Sequence, residues 1–187
     1  MNGKDNNIET LLDLLARLGV CRTGRRWLNG TEKDFDTLVK VWQGWPEFLC
    51  EHSEQACRLL REHLTEEDKA KLADRYLFFD TARTATIERF GKPVFVVGNS
   101  DVRLTLPDFA AVKLYVFDNA VVSCDLGNHA SLNLEAYNGA SVTVRGNGAD
   151  CRTTAYRYDN AAVYGADRLV NKEYRRGEVF NGKETRR

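Results

Sequence analysis

A ten-residue alternation of polar and apolar positions recurs between residues 98 and 168 of this chain. Four steps of ten residues are followed by one step of nine and one of twelve. The first position of each unit is an Asp, an Asn or a Gly, and is occupied in turn by Gly98, Asp108, Asp118, Asn128, Asn138, Asn147 and Asp159. Asp and Asn side chains bond nearby backbone and tolerate tight bends. Each unit is therefore predicted to begin at a corner.

Small residues fill the third position of each unit, namely Ser100, Ala110, Ala120, Ala130, Ala140, Ala149 and Ala161. The fifth, seventh and ninth positions are mostly apolar, as in Val112, Leu114 and Val116, with polar residues between most of them. A period of two predicts a strand with one buried face. A fixed repeat of such strands predicts a solenoid, and we expect the small-residue column to face inward at its corners.

The outward side chains indicate how the strands stack. If consecutive units were neighbours, Asp125 would face Glu135, and like charges directly opposite each other destabilise a sheet. Pairing of alternate units removes this clash and gives the stacks Thr105/Asp125/Arg145, Arg103/Ser123/Thr143, Tyr115/Glu135/Thr154 and Lys113/Asn133/Arg152. We therefore favour a flattened parallel coil of about twenty residues, with two strands and two corners per turn. An antiparallel meander of the same strands is the alternative.

The N-terminal half has helical spacing instead. Its apolar residues predict a helix over 8–18, a short helix over 21–28 and a third helix after the capped start at Thr31–Asp34. Pro46 suits the first turn of the next helix. A cap at Thr65 begins the last helix, which is predicted to run through Leu72, Ala73, Tyr76 and Leu77.

The predicted fold class is α+β, with an N-terminal helical domain at residues 1–92 that caps a C-terminal parallel β-solenoid at residues 93–168. Val94–Val97 is predicted to be the strand that joins the two parts without a flexible linker. A cap is expected because an open solenoid end exposes unpaired strand edges.

The remaining residues, 169–187, form a basic tail in which the repeat fades. Val179 and Phe180 are its candidate plugs for the last coil, in a small hairpin at an Asn181-Gly182 turn. Because so short a segment protects the C-terminal end poorly, we expect weak self-association or partner docking through residues 159–187.

The charge of the whole chain is balanced, with 27 basic and 27 acidic residues. This balance supplies no general electrostatic reason to bind nucleic acid or an anionic membrane. The N-terminus lacks the basic and apolar regions of a signal peptide, and no apolar run is long enough to span a bilayer, so we expect a cytoplasmic protein. Five cysteines, an odd number, fit reduced thiols better than a disulfide framework.

Two clusters of residues could bind ligands. Arg22, Arg25 and Arg26 lie beside Trp27 and could grip a phosphate or a stacked base, or they could form a solvated face. Zinc ligands could come from Cys50, His52, Cys57 and His63, although the helical spacing places only the two cysteines on one face. The alternative for this second cluster is buried thiols and surface histidines.

The sequence contains no phosphate loop and no nucleophile elbow, so we predict no catalytic residue, no cofactor and no metal. His129 next to Asn128 could form a surface site with the carboxylates of Asp118, Asp125 and Glu135. The alternative is that these corner residues only cap turns.

The units Asp118–Val122, Asn138–Val142 and Asp159–Val163 resemble the degenerate D-N-A-x-V repeats of uncharacterised bacterial and phage proteins. Gly19-Val20-Cys21 followed by Trp27-Leu28 is similar to a helical segment that precedes such repeats. Asp108-Phe109 and residues 147–158 depart from the pattern, so distortion of the later coil is expected. The resemblance implies a solenoid and carries over no activity.

These features favour a non-enzymatic structural or protein-binding module, because a rigid solenoid offers flat repeating faces. One alternative is a regulator that binds a host or phage protein, or nucleic acid, through the helical domain. Another is an enzyme with a site at the helix–solenoid junction, where Asp80, Arg83 and Glu88 precede the first repeat strand.

Overall fold

The computed structural model describes residues 5–18, 22–88 and 91–172. Five helices come first: α1 (Asp5–Arg17), α2 (Arg22–Asn29), α3 (Phe35–Gly44), α4 (Pro46–His63) and α5 (Glu66–Ala73). Eleven strands follow: β1 (Leu77–Phe79), β2 (Ala82–Thr86), β3 (Val94–Val97), β4 (Asp101–Leu106), β5 (Ala111–Val116), β6 (Val121–Leu126), β7 (Ser131–Ala136), β8 (Ser141–Gly146), β9 (Arg152–Tyr158), β10 (Ala162–Tyr164) and β11 (Arg168–Lys172).

The helix starts follow the capping residues in the sequence. The Asp34 carboxylate accepts a hydrogen bond from the Thr37 amide at 2.7 Å, which satisfies a free backbone donor in the first turn of α3. Thr65 and Asp68 bond each other's backbone amides in a complete capping box before α5. Pro46 occupies the first turn of α4, as predicted.

The strands form a parallel β-solenoid, which confirms the predicted fold class. Sheet A is six-stranded in the order β1-β3-β5-β7-β9-β11, and sheet B is five-stranded in the order β10-β8-β6-β4-β2. Every pair of neighbouring strands in these sheets is parallel. Successive strands therefore alternate between the sheets, and the antiparallel meander is wrong.

The predicted stacks hold through most of the repeat. Asp125 lies between Thr105 and Arg145, and Ser123 lies between Arg103 and Thr143. The Arg145 Nη1 to Asp125 Oδ1 distance is 3.9 Å, so the expected charge pairing of successive coils is present.

The register prediction for β9 is wrong by two residues. Asn133 pairs with Thr154 instead of Arg152, and Glu135 pairs with Tyr156 instead of Thr154. The extra length lies in the corner at residues 147–151. Ala149 is therefore exposed, and the half-buried Cys151 occupies the position directly before the strand, where the repeat predicted an Ala. The other members of the small-residue column that the sequence identified are buried, as predicted.

The solenoid also begins earlier than predicted. The last helix was expected to continue through Leu77, but it ends at Ala73, and Tyr76 takes a positive φ of 62°. Leu77–Phe79 then pairs with Phe95–Val97, and Ala82–Thr86 pairs with Asp101–Thr105. Residues that were predicted to belong to the helical domain therefore form the first coil. All three side chains of its strand β1 are buried.

Two hydrophobic clusters hold the fold together. One lies between the sheets and includes Ala73 of α5, so α5 reaches the open end of the first coil as a cap would. The other joins the helices to the outer face of sheet A, where the Trp42 and Phe95 rings form a T-shaped pair with 6.0 Å between their centroids. This coverage explains why β3 is buried at all four positions.

Candidate functional site

Helix α4 lies along the corners that lead from sheet A to sheet B. Three of its side chains, spaced four residues apart, reach these corners. The Ser53 hydroxyl accepts a hydrogen bond from Asn138 Nδ2 at 2.8 Å. Four residues on, the Cys57 thiol donates to Asp118 Oδ2 at 2.8 Å. Four residues further, Arg61 binds one more corner.

The Arg61 guanidinium forms a two-point ion pair with Asp80, with distances of 2.6 Å from Nε to Oδ2 and 2.9 Å from Nη2 to Oδ1. A helix rises about 6 Å over four residues, and adjacent strands lie about 4.8 Å apart. The two spacings are close enough for the segment of α4 after its kink at His52 to contact corners on several coils.

The corner residues share a backbone conformation that only some side chains tolerate. Their φ angles lie between 44° and 75°, and they are Asp80, Gly98, Asp118, Asn138 and Asp159. Asn, Asp and Gly adopt this left-handed region most readily. A Cβ at Gly98 would collide with the Asp80 carboxylate and lie 3.1 Å from Arg61 Nη2. The glycine therefore leaves room for the ion pair.

A cleft of about 710 Å³ opens between α4 and these corners. It is lined by Glu51, Ser53, Glu54, Gln55, Cys57, Arg61, Asn99, Asp118, Asn119, Asn138 and Asp159. Four of the lining residues are carboxylates, and four are amides of Asn or Gln. Ser53 and Cys57 are buried, while Arg61 and the rim residues Glu54, Asn99, Asn119 and Asp159 are exposed.

The electrostatic balance of the cleft is acidic. Among the described residues that line it, Arg61 is the one cation, and Asp80 neutralises it. Burial opposes the ionisation of Asp80, but hydrogen bonds from Arg61 and from the Asn99 amide outweigh it and lower the pKa of this carboxyl. The hydrogen bond to Asp80 likewise raises the pKa of Arg61. The pair is thus ionised at neutral pH, and the Arg61 guanidinium bonds Asp80, which is not one of the four lining carboxylates.

Cys57 is the residue in the cleft with the greatest potential for covalent chemistry, but its surroundings suppress reactivity. Burial, followed by the charge of Asp118, raises the pKa of this thiol far above its usual range. A thiolate is the reactive form of cysteine. Cys57 therefore acts as a hydrogen-bond donor to Asp118 and a poor nucleophile.

The sequence-predicted interaction residues lie elsewhere. Arg25 and Arg26 are exposed on α2, and Arg25 borders a shallow pocket with Arg17. The side chain of Arg22 and the residues Val179 and Phe180 lie outside the described part of the chain. The partly buried Trp27 packs on the helical cluster and meets Trp45 at 5.0 Å between ring centroids.

The structure does not bring together the three residues considered for an active site at the helix–solenoid junction. A cleft does lie at the junction, and Asp80 forms an ion pair with Arg61, which lines that cleft. Arg83 pairs with Asp74 at 3.2 Å, however, and Glu88 is simply exposed. These three side chains do not converge.

Among the described side chains, neither histidine-containing cluster is assembled. Within residues 5–18, 22–88 and 91–172, no group of three His, Cys, Asp or Glu residues is placed to hold a metal ion, and the side chain of Cys50 lies outside that description. His129 stacks on the exposed Phe109 ring at 4.9 Å. The three carboxylates predicted to join it have other partners, which are Cys57 for Asp118, Arg145 for Asp125 and Lys113 for Glu135.

Sequence reasoning missed the contact set of Ser53, Cys57, Asp118 and Asn138. Two signals were present: the four-residue spacing of polar side chains on α4, and the twenty-residue spacing of the two corner residues. Without the fold, neither spacing shows that these residues of α4 contact these corner residues.

The chain matches no family model, no curated protein and no solved structure. The resemblance to D-N-A-x-V repeat proteins therefore stays a hypothesis. None of the helices in the part of the chain that the structure describes is long and apolar enough to cross a membrane.

Proposed function

We propose that this chain is a non-enzymatic protein-binding module whose junction cleft receives a basic segment of a partner protein. The observation that carries this proposal is the acidic lining of the cleft. Four carboxylates line it, and among the described residues its single lining cation, Arg61, is already paired with Asp80. Lysine and arginine side chains are the complementary groups that another protein offers.

The chemistry of the lining supports a guanidinium or ammonium ligand. Carboxylate oxygens accept hydrogen bonds from cations, and the side-chain oxygens of Asn99 and Asn119 add neutral acceptors at the rim. The volume of about 710 Å³ lies within the usual range of about 300–1,000 Å³ for binding pockets. The cleft can therefore admit more than one side chain of a peptide.

The scaffold supports binding because the corners are held in place before any ligand arrives. Asn138 Nδ2 also lies 3.3 Å from Asp118 Oδ1, and Asn119 donates to Asn99 at 3.3 Å, so successive coils position each other's side chains. Pre-organised groups lose little freedom when they bind. The protonated thiol of Cys57 favours this role over covalent catalysis.

The experiment is a fluorescence-anisotropy titration with a labelled Arg-Lys hexapeptide. The double variant Glu54→Gln/Asp159→Asn should bind about 2- to 30-fold more weakly, because each exposed ion pair contributes about 0.2–1 kcal/mol. Glu62→Gln is the matched control, since Glu62 is an exposed carboxylate of the same helix that does not line the cleft. Equal weakening by the control, or equal binding of a Gln-only hexapeptide, contradicts the proposal.

A second candidate is self-association through the C-terminal end. It is supported by β10 and β11, the last strands of their sheets in the described ranges, where Tyr164 is 60% exposed and Leu169 is 41% exposed. Unpaired strand edges with apolar side chains favour pairing with a second copy. Light scattering should show concentration-dependent mass that Leu169→Asp reduces and Phe109→Asp, at a distant corner, does not. A monomer at every concentration removes this candidate.

A further inference from the structure

The helices cover only part of the outer face of sheet A. The half that carries Tyr115, Phe117 and Tyr137 is buried beneath them. The other half is open and forms a shallow groove of about 550 Å³. We name its outward polar residues the basic strip; they are Lys113, Ser131, Asn133, Arg152, Thr154 and Arg168.

The strand register determines the spacing of the strip. Lys113 pairs with Asn133, Asn133 with Thr154, and Thr154 with Arg168, so four coils contribute one residue each to a single column. Neighbouring strands lie about 4.8 Å apart, which separates the two ends of the column by about 14 Å. Arg152 lies in the adjacent column, opposite Ser131.

The charge of the strip is positive. Arg152 and Arg168 are exposed, and neither forms an ion pair within the part of the chain that the structure describes. Lys113 lies 3.2 Å from Glu135, which is also bonded by the Tyr137 hydroxyl. Of the described residues, the three cations of the strip therefore have one carboxylate, Glu135, beside them, and that carboxylate already has two partners.

From this spacing and charge we propose that the basic strip binds an acidic segment of a partner protein in extended conformation, running across the strands. Alternate side chains of an extended peptide lie about 6.8 Å apart on one face. Carboxylates at positions 1 and 5 are then about 14 Å apart, which matches Lys113 and Arg168. The side chain at position 3 falls over Asn133 and Thr154, which can donate and accept hydrogen bonds.

A peptide fits the strip better than a nucleic acid does. Strong binding to nucleic acid needs many neutralised phosphates, and the strip has three cations, one of which is shared with Glu135. The whole chain also has a net charge of zero. The strip lies outside the residues that line the acidic cleft, so this proposal does not depend on the proposed function.

The test compares two peptides of identical composition in anisotropy titrations with the full chain. One has Glu at positions 1 and 5, and the other has Glu at positions 1 and 3, with Ser and Thr elsewhere. The 1,5 peptide should bind more tightly, and Arg168→Gln should weaken it about 1.4- to 5-fold while leaving the 1,3 peptide nearly unchanged. Arg103→Gln is the matched control, because Arg103 is an exposed arginine on sheet B.

Three outcomes overturn the proposal. The first is equal affinity for the two peptides, and the second is equal weakening by Arg103→Gln and Arg168→Gln. The third is Arg168-dependent binding of a single-stranded oligonucleotide that is tighter than binding of the 1,5 peptide. Circular dichroism of each variant verifies that these exposed substitutions leave the fold intact.

Discussion

Replacement of Ala130 by Leu tests the inward corner column most directly. Ala130 has no exposed surface, and its corner lies between those of Ala110 and Cys151 on the flanking coils. The Arg152 amide donates to the Ala130 carbonyl at 2.9 Å, so the backbone cannot move away without loosening the next coil. A larger side chain must therefore displace its neighbours in the interior.

The expected loss follows from this lack of space. Leu adds three carbon atoms, and added methylenes in a packed core cost about 1–3 kcal/mol of unfolding free energy. For a domain of this size, 1 kcal/mol shifts the melting temperature by about 2–4 °C. Thermal unfolding followed by circular dichroism should therefore show a decrease of about 2–12 °C, and urea unfolding should show a lower midpoint with the same slope.

Two controls make the prediction specific. Ser131→Leu places the same side chain on the exposed neighbour and should change stability by about 0.5 kcal/mol or less. Ala149→Leu should be equally mild because Ala149 is exposed, although it occupies the Ala position in the sequence repeat. If Ala130→Leu is as stable as these controls, or Ala149→Leu is as damaging as Ala130→Leu, the assigned register is incorrect.

Three further predictions concern the coils and the junction. A double-mutant cycle of Asp125→Ala and Arg145→Ala, measured by chemical unfolding, should give a coupling free energy of no more than about 1 kcal/mol. The reason is that the pair is partly exposed and its charged atoms are 3.9 Å apart. A larger coupling free energy would contradict this geometry. The pKa of Asp80 is lowered in the folded state, so its ion pair with Arg61 contributes stability above the ordinary carboxyl pKa near 4 and loses it as the pH falls through the folded value. Asp80→Asn should therefore be less stable than wild type at pH 7. A difference that stays undiminished after the wild-type carboxyl has been protonated would refute this. Gly165→Ala should destabilise the protein by about 1–3 kcal/mol. Gly165 has a φ of 77°, and a Cβ at this position would collide with a backbone carbonyl of the preceding coil. Unchanged thermal stability would contradict this backbone conformation.

The sequence by itself determined the architecture of the repeats. The two-residue period and the ten-residue corner spacing are local properties, and each unit repeats them. Several units therefore predict the same strand and the same turn independently. The outward charges then decided which units are neighbours, since pairing Asp125 with Arg145 is favourable and pairing Asp125 with Glu135 is not. The helix starts at Pro46 and Thr65 were also predicted from the sequence, because a cap depends only on residues that are near each other in the chain.

Tertiary structure alone decided where the repeat begins and how it continues past residue 146. Leu77–Phe79 has no alternation to mark it as a strand, because its side chains are buried on both faces, between the sheets and beneath the helices. The extra length before β9 could go into either a corner or a strand, and packing placed it in the corner, which moved Cys151 into the position expected for Ala149.

The candidate site was beyond sequence reasoning for the same reason. Cys57 and Asp118 are separated by 61 residues, and Ser53 and Asn138 by 85. Each of these residues has an ordinary local role, on a helix face or at a corner. They meet only because the helices pack on the outer face of sheet A and align α4 with successive coils, and burial of large apolar surfaces, with no local signature in the polar residues, determines that packing.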